Sequence, residues 1–191
     1  MSKTLLWPVF ALVVLAHWWV PGSMIWNKEK VLTEGTTYKF QSAPVDPSDP
    51  FRGKYIVLNF REDHFKVAGK SNLSHHKRVY VTFITDKNGF ARVRSVEERK
   101  PVRKDYLETT VRYKSEENDS STIYLIYPFS TYYMEEFKAP QAERIYGKVR
   151  VDSTAKAYAL VNLLNGDAVI KDVYINDTLL QQVINTRNAI R

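Results

Sequence analysis

The 191-residue chain is 44% hydrophobic and 13% aromatic with only 7 glycines, a composition that buries enough apolar surface to fold and excludes a disordered chain. It contains no cysteine, which excludes disulfides, thiolate metal sites, a cysteine nucleophile and lipoprotein acylation. Its formal net charge of +7 is dispersed among acidic residues, as in Lys28-Glu29-Lys30 and Glu97-Glu98-Arg99-Lys100, so a solvated surface is expected and a nucleic-acid stripe is not.

After Met1-Ser2-Lys3-Thr4, the stretch Leu5 to Val20 is apolar except for His17, and Met24-Ile25-Trp26 extends it to about the 20 residues that span a bilayer as a helix. Its exit, Trp18-Trp19-Val20-Pro21-Gly22-Ser23, lacks the small residues at alternate positions of a cleavage site and carries tryptophans, which favour the headgroup level. The pattern predicts an uncleaved membrane anchor over 1–27, with a removed signal peptide as the alternative, and a single β-rich domain over 28–191. Lys3 before the segment and Lys28 and Lys30 after it leave the positive-inside balance close to even.

Thr36 to Ser42 is the first predicted strand. The next stretch, PVDPSDPFRGKYIVLNF from Pro44 to Phe60, passes from a stiff loop straight into an apolar strand. Its three prolines fix φ near −65° and push Ala43, Asp46 and Asp49 toward extended geometry. Asp46 and Asp49 suit Asx-turns, Arg52 lies within pairing reach of either, and Gly53 is a permissive hinge. From Lys54 to Phe60, Tyr55 and Val57 take one face and Ile56, Leu58 and Phe60 the other. Two readings apply: a self-bonded turn that fixes strand register, or a binding lip edged by two carboxylates and an arginine.

Phe65 to Lys77 reads as a polar loop. Arg78 to Thr85, Asp86-Lys87-Asn88-Gly89 and Phe90 to Val96 form a hairpin whose Asn-Gly pair suits the φ > 0 positions of the turn. Tyr106 to Tyr113 and Thr122 to Tyr127 make a strand pair around a polar Lys114 to Ser121 loop. Tyr132 to Arg144 has helical pieces broken at Pro140, and Ile145 to Val151 returns to strand. Tyr158 to Leu164, Asn165-Gly166-Asp167 and Ala168 to Ile175 give a second hairpin. Leu179, Leu180, Val183 and Ile184 then keep an apolar stripe at helical spacing that caps an open sheet end. The fold class expected is mainly β, a sandwich or partly open barrel of about nine short strands, with an N-terminal transmembrane helix, a short helical segment near 132–144 and a C-terminal helix.

Catalytic patterns are sparse. The chain has neither G-x-S-x-G nor H-E-x-x-H, and Ser74-His75-His76-Lys77 and Ser153-Thr154-Ala155-Lys156 match S-x-x-K at a frequency that chance supplies. On a strand His75 and His76 would face opposite ways, so they would chelate one metal together only if the loop curled; no metal or cofactor is assigned. Three N-x-S/T sequons, at Asn72, Asn118 and Asn176, are read as loop residues. Glu135 and Glu136, behind Tyr132 and Tyr133, are the remaining carboxylate pair, read either as solvated groups that neutralise Arg52 or Lys54 while the tyrosines pack on the sheet, or, with Asp46 and Asp49, as an acid/base couple.

Asp46-Pro47, Asp49-Pro50, Arg52-Gly53, Tyr55 and Leu58, with Phe60 closing the strand, resemble the GDYXXLXY family, in which a DP-rich turn leads into G-D-Y-x-x-L-x-Y. A second block, Tyr127-Pro128-Phe129-Ser130-Thr131-Tyr132-Tyr133-Met134-Glu135-Glu136, is similar to the family's aromatic-acidic segment. Lys54 stands where the family's name has Asp, a charge reversal incompatible with a general acid or metal ligand there. The resemblance implies a bacterial protein of the inner membrane, its domain on the periplasmic side, working beside an integral multi-pass membrane protein, with no catalytic mechanism attached. The expected function is accordingly an extracytoplasmic accessory or binding module with Asp46, Asp49, Arg52, Gly53, Lys54, Tyr55, Leu58, Tyr132, Tyr133, Glu135 and Glu136 as candidate binding positions. The alternative is an envelope hydrolase using carboxylates near Asp46, Asp49 and Glu135.

Overall fold

The apolar N-terminal run folds as one helix, α1, spanning Lys3–Glu34 in the computed structural model, which describes residues 3–43, 55–117, 119–135, 138, 140–142, 144–145 and 156–188. Pro8 and Pro21 sit inside it, and each removes one backbone donor from the helical ladder. Its large apolar residues from Trp7 to Trp26 are exposed, whereas Val31, one turn before its end, is buried. The Gly35 amide closes the helix on the Val31 carbonyl at 3.0 Å. Only glycine fits at that position, because a Cβ would lie 2.3 Å from the Val31 carbonyl oxygen.

Twelve strands follow among the described residues: β1 (Thr36–Ala43), β2 (Tyr55–Val57), β3 (Asn59–Phe60), β4 (His64–Ala68), β5 (Arg78–Thr85), β6 (Ala91–Glu97), β7 (Tyr106–Glu117), β8 (Ser120–Ile126), β9 (Thr131–Tyr133), β10 (Ala157–Leu164), β11 (Asp167–Ile175) and β12 (Thr178–Leu179). A second helix, α2 (Leu180–Asn188), comes last. One five-stranded sheet has the order β12-β11-β10-β1-β3, another the order β4-β8-β7-β5-β6, and β2 and β9 form a two-stranded ribbon. Isolated bridges from Lys39 to Phe90 and from Leu107 to Gly166 join the large sheets, so the fold is mainly β and partly closed like a barrel, as its pattern predicts.

The core follows from the alternation of each strand. Phe40 of β1 is fully buried and meets Phe60, Phe83, Tyr127 and Phe129 with ring centroids 5.6, 5.1, 5.9 and 5.1 Å away, at tilted or edge-on angles that aromatic pairs prefer. Leu180 and Ile184, one turn apart on α2, are also fully buried, and the helix covers the β11–β12 end of its sheet.

Several elements depart from the sequence expectation. The strand predicted from Lys54 to Phe60 is two strands, because its pairing changes partner at Leu58. Part of the predicted Phe65 to Lys77 loop is β4, whose exposed residues alternate with half-buried ones against β8. The Lys114 to Ser121 loop is instead a tight β7–β8 hairpin, with ladder pairing out to Glu117 and Ser120. Tyr132 and Tyr133 are in strand β9, not helix, and among the described residues of this stretch helical backbone is at 140–142 and 144–145, so Pro140 is part of helical backbone rather than a break in it. Ile145 is therefore helical rather than the start of a strand, and 146–151 lie outside the described residues. Of the predicted Asn88-Gly89 turn, only Gly89 takes positive φ, at 82°.

Candidate functional site

The two segments singled out by sequence meet in the β2–β9 ribbon. Tyr55 lies opposite Tyr133, Ile56 opposite Tyr132 and Val57 opposite Thr131, all antiparallel. The ladder is extended by the Leu58 amide, which donates to the Ser130 carbonyl at 2.7 Å. Leu58 and Phe60 are buried and Asn59 between them is exposed, which is the alternation predicted for the strand. Beyond Phe60 the chain is held by the phenol of Tyr127, which donates to the Glu62 carbonyl. Burial pushes that phenol well above its usual pKa, so it stays a donor.

The tyrosine pair splits as a strand requires. Tyr132 is buried, receives a hydrogen bond from Gln181 Nε2 of α2 at 3.4 Å, and has its pKa raised by burial. Tyr133 points the other way and is 72% exposed. Glu135 is solvent-facing, accepts from Lys138 Nζ at 2.9 Å, and its carbonyl accepts from the Lys138 amide at 2.9 Å. This is a charge-paired turn rather than a desolvated acid. Asp46, Asp49, Arg52, Gly53, Lys54 and Glu136 lie outside the described residues, as do the side chains of Tyr55, Ile56 and Val57.

A family model matches residues 17–171, a span that holds both blocks of the ribbon. The chain belongs to the GDYXXLXY family. No curated protein and no solved structure matches it. In this GDYXXLXY protein the strand that carries the family's tyrosine and leucine is thus half ribbon and half core, with Leu58 at the changeover.

The histidines of the polar loop are not on a strand. His76 takes φ 57°, the backbone curls, and the His75 and His76 ring centroids lie 4.0 Å apart with the rings tilted by 55°, so the expectation of opposite faces is corrected. Among the described residues no group of three or more His, Asp or Glu is arranged to hold a metal ion. Asp172 has a carboxyl pKa raised by burial, with the neighbouring charge of Lys171 opposing that shift.

Sequence reasoning missed a cavity of about 350 Å³ where α1 meets the barrel, lined by Lys28, Glu108, Asp167 and the Asn165–Gly166 turn. Lys28 Nζ reaches Asp167 Oδ1 at 2.7 Å, and Arg78 reaches Glu108 Oε1 at 3.0 Å. The turn itself was legible from Asn165-Gly166-Asp167, and both central residues have positive φ, 52° and 95°. Its neighbours were not legible, since Lys28 is distant in the chain and carries no local signal.

Proposed function

We propose that this GDYXXLXY protein is a membrane-anchored accessory or binding module whose β domain faces the extracytoplasmic side of a bacterial inner membrane and associates there with an integral multi-pass membrane protein. The observation that carries the proposal is the contrast along α1. Its apolar side chains stand exposed from Trp7, at 75%, to Trp26, also at 75%, while Val31 is buried at 3%. A helix of this length and hydropathy is able to cross a membrane, and a bilayer is the solvent that matches such a surface. Tyr133, displayed on the ribbon, supplies an aromatic contact of the kind enriched at interfaces. Glu135, solvent-facing and paired with Lys138, supports this binding reading over the hydrolase.

Co-purification of the full chain in mild detergent, followed by mass spectrometry, tests the proposal. Recovery of one multi-pass membrane protein in comparable amount is expected, and repeated recovery of the chain alone counts against it. A reporter fused after Arg191 is expected to be active outside the cytoplasm, and N-terminal sequencing is expected to find the segment before Ser23 intact.

A further inference from the structure

We propose that the cavity between α1 and the β10–β11 turn binds the headgroup of a zwitterionic phospholipid whose cationic end is a primary ammonium. This rests on the membrane-anchor reading and goes beyond it by naming a ligand. Depth is the first argument. Trp7 and Trp26 are 19 positions apart in one helix. At 1.5 Å per residue that is roughly 28 Å, close to the ~30 Å hydrocarbon thickness, so these two indoles take the two interfaces where tryptophan concentrates, and Trp18 and Trp19 lie inside the apolar layer rather than at the headgroup level that their sequence suggests. Lys28, two residues past Trp26, then stands about 3 Å further out, within a headgroup layer of about 5 to 7 Å on each side.

The cavity is held at that depth. Val31 is buried, and the Leu32 carbonyl accepts from Asn162 Nδ2 at 2.8 Å, so α1 enters the barrel with no slack between helix and sheet. The far wall is equally fixed. The Asn165 amide donates to the Lys104 carbonyl at 2.6 Å, the Gly166 amide to the Tyr106 carbonyl at 3.1 Å, and the Glu108 amide to the Gly166 carbonyl at 2.9 Å. Asp167 and Glu108 are therefore presented on backbone that is already ordered, which lowers the entropy cost of binding.

Charge selects the ligand. Lys28, Asp167 and Glu108 line the cavity, and Arg78 pairs with Glu108 as Lys28 does with Asp167, so two cations meet two carboxylates there. A purely anionic headgroup brings no cation for either carboxylate. A zwitterion instead sets its ammonium on Asp167 and Glu108 and its phosphate on Lys28, replacing the two internal ion pairs with complementary external ones. The Lys28–Asp167 pair is more than half exposed on both sides, so opening it costs little. A primary ammonium has N–H donors for both carboxylates, whereas a quaternary ammonium has none.

The test uses the full chain. Flotation with phosphatidylcholine vesicles is measured first, and native mass spectrometry then follows retention of phosphatidylethanolamine, phosphatidylcholine and phosphatidylglycerol offered at equal concentration. The chain is expected to float and to retain phosphatidylethanolamine about tenfold over the other two, the ratio that one charge-assisted hydrogen bond supplies. Asp167→Asn and Glu108→Gln, made singly, are expected to erase the preference while flotation and melting temperature stay unchanged. Flotation with no preference, or with preference for phosphatidylglycerol, overturns the headgroup site and leaves the anchor standing. Failure to float overturns both. Should either variant misfold, the ranking of the three lipids on the unmodified chain still decides.

Discussion

Asn162 donates from its side-chain amide to the main-chain carbonyl of Leu32 at 2.8 Å, which ties the end of α1 to the middle of β10. The same amide accepts from Thr37 Oγ1 at 2.8 Å, and Asn162 is only 2% exposed. Asn162→Leu keeps the branching of the side chain and strands the Leu32 carbonyl of a half-buried residue, while the hydroxyl of exposed Thr37 can turn to water, so it is expected to cost about 1 to 3 kcal/mol. Thr37→Val removes one bond and leaves Asn162 on Leu32, and its cost should be the smaller. Thermal melts rank the two. Proteolysis near Gly35 is expected to rise in Asn162→Leu alone, because that variant frees the helix from the sheet.

Three glycines separate strain from crowding. Gly69 has φ 81° with nothing near a hypothetical Cβ, so Gly69→Ala isolates the left-handed backbone cost of about 1 to 2 kcal/mol. Gly166 has φ 95° and a Cβ there would meet Glu108 Cβ and the Tyr106 ring at 3.0 Å, so Gly166→Ala should cost more than Gly69→Ala. Gly35→Ala drives a Cβ against a backbone oxygen and is expected to be the most damaging, with α1 forced off its seat. Denaturant midpoints of the three variants check the order. Equal midpoints for Gly69→Ala and Gly166→Ala would show that the turn has room its packing denies.

What the sequence made legible is what local chemistry controls. Both predicted hairpins exist, since Gly89 in one and Asn165-Gly166 in the other meet turn requirements within a few residues. The apolar N-terminal helix, the α2 stripe and the Leu58–Phe60 alternation are legible for the same reason. Partner choice was not. Nothing between Lys54 and Arg61 says that Tyr55 to Val57 pairs with Thr131 to Tyr133 while Phe60 pairs with Ser42, and that switch breaks the predicted strand. Tyr132 to Arg144 reads as helical pieces, and pairing with β2 makes Tyr132 and Tyr133 strand instead. The junction cavity needs Lys28 beside Asp167, a contact fixed only by how α1 docks.

Two groups give the stability a pH signature of opposite sign. The Arg103 guanidinium, hydrogen-bonded to Asp105, holds that carboxyl below its ordinary 3.8 against the opposing effect of burial. A depressed pKa in the folded state stabilises above the unfolded value, so the contribution is present above about 3.8 and is lost as pH falls below it. Asp105→Asn should therefore flatten the acid side of a stability profile. Tyr38 is pushed up to about 12, first by burial and then by its hydrogen bond to Asp105, from an ordinary 10.0. A raised phenol pKa contributes fully below 10.0 and is lost as pH climbs through about 12. Tyr38→Phe should flatten the alkaline side, and phenolate absorbance should show one late-titrating tyrosine fewer.

The ribbon allows fold and recognition to be separated residue by residue. Leu58 is 1% exposed and packs in the core, so Leu58→Ala is expected to cost about 2 to 5 kcal/mol through the cavity it leaves. Tyr133 is on the neighbouring strand but 72% exposed, and Tyr133→Ala is expected to change stability by no more than about 0.5 kcal/mol. If the ribbon is where the membrane partner docks, Tyr133→Ala loses the partner in co-purification while its melting curve overlays that of the unmodified chain. Leu58→Ala lowers the melting temperature, yet below its transition it still recovers the partner, because the ladder bond from the residue-58 amide to Ser130 is main-chain and survives the substitution. Recovery of the partner by Tyr133→Ala at full yield would move the docking surface off the ribbon.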